Sequence, residues 1–280
     1  MVRSSSTLLS KITERKGVPF SKLYGGLRIG HDFLHRVGAI DSSAPVPSGL
    51  TDNFDDFKWH GFDTDVTKPA IKSFYEQTIN YRVLVKPRWQ AGFKFGGQVF
   101  RWLSRRVQQM GLPVDDTNDR EMVSQIEKVN DSYDGRSNVR SWVRTYRSTG
   151  ETVYVALYAT HYREGIPYMN ISFPLPAGNL TSILRIDPNP TDSGGLVLST
   201  LPRKDGRGDE GIYFANRLRP FRLPFNETIT VWQNETKQNN LQSSKTVTTD
   251  LEHASINARH DIWLFGIHFL TLDYRIERNA

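Results

Sequence analysis

The stretch Tyr168-Met169-Asn170-Ile171-Ser172-Phe173 alternates without a break, with Met169, Ile171 and Phe173 on one face and Tyr168, Asn170 and Ser172 on the other. A period of two marks a strand with one face buried. The neighbouring sequence repeats the pattern. Residues 142–147 and 152–161 flank Ser148-Thr149-Gly150, the composition of a hairpin turn. Residues 180–186, 196–200, 212–216, 228–232 and 247–253 read as further strands, separated by turn-forming runs such as Ser193-Gly-Gly and Lys204-Asp-Gly-Arg-Gly. The run Ile262-Trp-Leu-Phe-Gly-Ile-His-Phe-Leu is apolar on both faces, so 262–276 reads as one central strand covered on both sides. Strands this close together leave no room for crossover helices, and the sheet must be mainly antiparallel. The expected fold is α+β: a large antiparallel, strongly curved or barrel-like sheet with a few helices packed on it. A barrel of about eight strands is just wide enough to hold one small ligand.

Upstream of the sheet the periodicity changes. Leu23, Leu27, Gly30, Phe33, Leu34 and Val37 recur at three- and four-residue spacing and predict a helix over 18–40. A turn-rich linker follows, and then Phe54, Phe57, Trp59 and Phe62 among five aspartates, a run of the kind that plugs a body with its rings. Residues 1–68 are therefore read as an N-terminal helical and aromatic-acidic extension, and 69–280 as the β-rich domain. Within the latter, Pro69 with Ile71, Phe74 and Tyr75 predicts a short helix, 81–89 a strand and 97–110 a helix closed by Gly111. Another helix is expected from Asn118, with Glu121 as capping partner and Met122, Ile126 and Val129 on one side.

The chain has 280 residues, 38% hydrophobic and 24% charged, an ordinary globular composition. Cysteine is absent, which removes disulfides, thiolate metal sites and thiol nucleophiles. No apolar run has the length of a membrane-spanning helix, and the first residues lack the apolar core of a secretory signal, so a cytoplasmic location is expected. The net charge is +6, and residues 81–109 hold seven Lys and Arg with no acid. Arg101, Trp102 and Arg105 in that stretch form a candidate surface for an anionic membrane, with nucleic acid the less favoured partner.

Local motifs are weak. His31-x-x-x-His35 has metal-ligand spacing without a third ligand. Gly92-x-x-x-Gly96-Gly97 lacks the Gly-Lys-Ser/Thr ending of a phosphate loop. Neither metal nor cofactor is expected. Polar residues within apolar strands, namely Asn170, Arg185, Tyr213, His253, His268 and Arg275, are the candidate ligand-binding set, since pockets pair an apolar lining with a few placed polar groups. The expectation is non-catalytic binding of a hydrophobic small molecule or lipid. The alternatives are an isomerase, cyclase or hydrolase with His268 or His253 as general base, and a peripheral binding module.

Three runs carry a resemblance: Tyr168-Met-Asn-Ile-Ser-Phe-Pro-Leu-Pro, Asp134-Gly-Arg-x-x-Val-Arg-x-Trp, and the ending Trp263-x-Phe-Gly-Ile-x-Phe-Leu-Thr-x-Asp-Tyr-Arg-Ile. Over residues 74–278 the chain resembles the soluble C-terminal portion of YndJ-like proteins. That resemblance implies a unit preceded in the family by membrane helices, and it carries no catalytic residue.

Overall fold

Short, turn-rich connections lay most strands beside their predecessors, and in the computed structural model, which describes residues 17–90, 92–111, 120–216, 219–233 and 255–279, the sheet closes on itself. The strands are β1 Tyr81–Trp89, β2 Arg120–Lys128, β3 Arg140–Tyr146, β4 Thr152–Arg163, β5 Ile166–Leu175, β6 Gly178–Pro188, β7 Leu196–Ser199, β8 Gly211–Ala215, β9 Phe221–Arg222, β10 Phe225–Gln233, β11 Ile256–Leu264 and β12 Ile267–Arg278. Ten of them, β1 to β7 and β10 to β12, form an antiparallel barrel, closed where β12 returns to β1 with Tyr81 opposite Arg278 and Trp89 opposite Leu270. Strand β6 changes partner along one edge: Asn179–Ile183 pair with β8, and Arg185–Pro188 with β7.

The barrel core is continuous with a plug at its base, the end where β1 starts. Helix α2, Pro69–Glu76, begins with proline at its first position, where no amide hydrogen is needed, and buries Ile71, Phe74 and Tyr75. Phe54, Phe57 and Phe62 bury fully in the same cluster, with Phe54 5.6 Å from Phe57 and 5.3 Å from Tyr75. At the opposite end Trp89, Phe93 and Phe225 gather around Phe269. Helix α3, Lys94–Val107, leaves β1 there, and Gly111 bonds Val153 at the start of β4, so the helix crosses that end. It ends with Gln108 in the left-handed conformation, before the glycine expected to stop it.

Three expectations are corrected. Residues 18–40 hold only one short turn of helix, α1, Phe33–Arg36. Their backbone amides bond other elements instead, Lys22 to Asp134, Gly25 to Leu175 and Ile29 to Val107, and Gly30 sits at φ +72. Of the apolar residues that mimic a helical stripe, Leu23, Phe33 and Leu34 pack outside β3 and β4, with Ile29, against Val129, Val143 and Leu157, while Leu27 and Val37 are exposed. The helix expected from Asn118 is β2. Met122 and Ile126 are four apart, which is also two full strand repeats, so both face the barrel core while Val129 lies in the outer cluster. Finally, 262–276 is not one strand. Phe265 at φ 50 and Gly266 at φ 78 make a two-residue turn joining β11 to β12, with Phe where such turns usually carry Asn. The strand expected over 247–253 lies outside the described residues.

Candidate functional site

Strand alternation decides what faces the barrel interior. Trp142 and Arg144 on β3, Ile171 and Phe173 on β5, Ser182 and Leu184 on β6, Glu227 and Ile229 on β10, Ala258 and His260 on β11 and Tyr274 on β12 line an internal cavity of about 150 Å³. An engineered apolar cavity of that size in another protein admits benzene.

The polar part of the lining is organised. Ser182 Oγ donates to Glu227 Oε1, and His260 Nε2 lies 2.7 Å from Glu227 Oε2. Burial would push the Glu227 carboxyl up, but the adjacent His260 and the two hydrogen bonds outweigh it and hold the group below the usual carboxylate range. An ionised Glu227 only accepts, so Nε2 of His260 donates in this contact.

Arg144 is 5% exposed, with its guanidinium carbon 4.2 Å from the Trp142 ring centroid and 5.6 Å from that of Tyr154. The two ring faces attract the cation. Its Nε has no hydrogen-bond partner. Burial pushes the Tyr154 hydroxyl up to about 12, against the pull of Arg144, and raises Tyr158 and Tyr274 as well. At neutral pH these phenols are protonated.

None of the five described candidates from the sequence lines this cavity. Asn170 and Arg185 neighbour the inward Met169, Ile171 and Leu184 along their strands and so point outward. Asn170 accepts from Arg136 Nη1 at 2.7 Å and donates to the Pro19 carbonyl at 2.7 Å. Arg185 pairs with Asp187 at 2.8 Å and with Glu210 at 3.3 Å. Tyr213 packs on Phe20 and donates to the Asp209 carbonyl at 3.0 Å. The structure thus brings these three to the outer face of β5, β6 and β8, where segment 18–20 lies over the wall. His268 sits apart, between Trp263, Asp261 and Thr271, and Arg275 is exposed beside Glu277. His253 lies outside the described residues.

In the surface set, Trp102 is 54% exposed with Arg106 stacked 4.3 Å over its ring, and Arg105 pairs with Glu151 at 2.6 Å. Arg101 is in α3, but its side chain is outside what is described. Arg144, Glu227 and His260 escaped the sequence reading. Their signal was a polar residue on the apolar parity of a strand, as where Glu227 shares the phase of Ile229 and Val231 while Thr228 and Thr230 take the other.

Set against known proteins, the chain is 36% identical over 257 residues to "Uncharacterized membrane protein YndJ" of Bacillus subtilis (strain 168). The chain is YndJ-like. The match takes in 92% of this chain and 43% of that protein, so the YndJ-like barrel spans under half of its relative's length. Its 257 residues exceed what 74–278 can hold, and the likeness to YndJ therefore reaches into the extension as well. No family model matches the chain, and no solved structure does. Among the described residues no helix is long and apolar enough to cross a membrane.

Proposed function

We propose that the barrel binds one small, largely apolar molecule non-covalently in its interior. The observation that carries this reading is the cavity of about 150 Å³, walled mainly by aromatic and aliphatic side chains with a few polar ones, among them Arg144, Ser182, Glu227 and His260. Ligand sites elsewhere have this composition. The volume suits a ring-sized molecule better than a whole lipid, whose chains exceed a benzene-sized space. Met169 lines the cavity and Met110 does not, which supplies a reporter. In methyl NMR, toluene should shift the Met169 resonance saturably and leave Met110 in place, and Ala258→Phe, which fills the cavity, should abolish the shift. An unmoved Met169 resonance at saturating toluene refutes the reading.

A second reading, peripheral contact with an anionic bilayer from the cytoplasmic side, is favoured by one feature. The β11–β12 turn carries Phe265, 75% exposed, and Ile267, 59% exposed, at the same end of the barrel that α3 crosses with Trp102, Arg105 and Arg106. Exposed apolar side chains beside cations suit a charged lipid surface, and the relative's printed name calls it a membrane protein. Flotation with phosphatidylglycerol vesicles should be strong in low salt and weak at high salt. Binding that ignores salt, or that requires nucleic acid, would refute it.

A further inference from the structure

We propose that the molecule held in the barrel is a ring-sized organic carboxylate whose charge is met by the Arg144 guanidinium. The inference rests on the cavity being a ligand site and goes further by naming the ligand's chemical class. It comes from an inventory of donors and acceptors. Both carboxylate oxygens of Glu227 already accept, one from Ser182 and one from His260. The indole N–H of Trp142 is taken by Ser124 Oγ at 3.2 Å. Two buried lining atoms remain without a partner, Arg144 Nε, which can only donate, and the Tyr158 hydroxyl, which can donate or accept.

Stacking on Trp142 and Tyr154 engages the face of the Arg144 guanidinium and leaves the Nε–H on its edge without a partner. That edge is a planar fork matching the two oxygens of a carboxylate. A neutral apolar guest would leave the buried Nε–H of Arg144 unsatisfied, which is costly. Tyr274 feels both Arg144 and Glu227, so the two charges share one region of the cavity. A single negative charge suits Arg144, whereas a phosphate dianion would also meet the Glu227 carboxylate. The ring of the guest would lie against Ile171, Phe173, Leu198 and Ile229.

The test uses benzoate, its neutral isostere benzamide, toluene and inorganic phosphate, read by the Met169 methyl resonance in the full chain. Benzoate should bind at least about tenfold tighter than benzamide, as expected for a hydrogen bond to a charged group. Arg144→Met should remove that preference while toluene still binds. Equal affinity for benzoate and benzamide, or a benzoate affinity unchanged in Arg144→Met, overturns the carboxylate assignment and leaves the cavity reading standing. Phosphate outcompeting benzoate overturns it too. If none of the four moves Met169, the cavity reading itself falls. Should Arg144→Met fail to fold, the benzoate and benzamide comparison in the unaltered protein decides alone.

Discussion

His260 Nε2 and Glu227 Oε2 meet at 2.7 Å across neighbouring strands inside the barrel, and this contact keeps a carboxylate ionised in a largely apolar space. Because the folded pKa of Glu227 lies below its ordinary 4.5, the folded state binds fewer protons there than the unfolded one. The stability it supplies is complete above that ordinary value and is lost as pH falls through the depressed one. Glu227→Gln should therefore lower the unfolding free energy by about 2 kcal/mol at pH 7, with the gap to the unaltered protein closing below pH 4.5. Urea titrations at pH 7 and at low pH measure this, and a gap that widens in acid contradicts it.

The aromatic plug should behave as core. Phe57 is fully buried and shares a cluster with strand residues from across the barrel. Phe57→Ala should cost about 3 to 5 kcal/mol in chemical denaturation. A cost under about 1 kcal/mol would show that the run 54–62 merely rests on the base.

At the β11–β12 turn, Phe265 holds φ 50, a conformation that asparagine tolerates far better. Phe265→Asn should raise stability by about 0.5 to 1 kcal/mol while weakening vesicle flotation. Opposite signs in the two assays separate a residue kept for contact from one kept for folding. Weaker binding with unchanged stability would place the strain elsewhere.

Among the contacts that tie the N-terminal segment to the barrel is a buried ion pair. Arg136 Nε lies 2.6 Å from Asp134 Oδ1, and Asp134 also accepts from Ser21 Oγ at 2.6 Å. Asp134→Ala strands the Arg136 charge and should cost about 3 to 5 kcal/mol. Limited trypsin digestion should then cut early at Lys22 and Arg28. Resistance equal to that of the unaltered protein would mean that the clusters around Phe20 and Ile29 hold the segment unaided.

The barrel was legible where strand alternation met a one-sided environment. Met169, Ile171 and Phe173 read correctly because only one face of β5 is apolar, and β1 matched its predicted bounds because Val83 and Val85 alternate with charged or less buried neighbours. Segment 18–40 misled because its three- and four-residue spacing mixes residues that a strap buries against the wall, Leu23, Phe33 and Leu34, with Leu27 and Val37, which it leaves exposed. The turn at Phe265 was hidden because phenylalanine occupies a position that asparagine or glycine usually announces. The candidate site residues fall away from the cavity for a different reason. Asn170, Arg185 and Tyr213 are conspicuous as polar residues in apolar strands, yet a closed barrel wrapped by its own N-terminal strap has two buried faces. Polarity in an apolar strand therefore does not say which face it serves. Only parity does, and by that measure Arg144, Glu227 and His260 stand out.

The change of partner along β6 has a mechanical consequence. Between Ile183, the last residue laced to β8, and Arg185, the first laced to β7, the wall passes from one neighbour to another, and beside that joint Ser182 reaches across to Glu227 on β10. Side chains supply part of the fastening where main-chain rungs are interrupted. The Ser182–Glu227 contact therefore serves twice, joining β6 to β10 where the pairing of the wall changes hands and setting the charge of the carboxylate on its inner side.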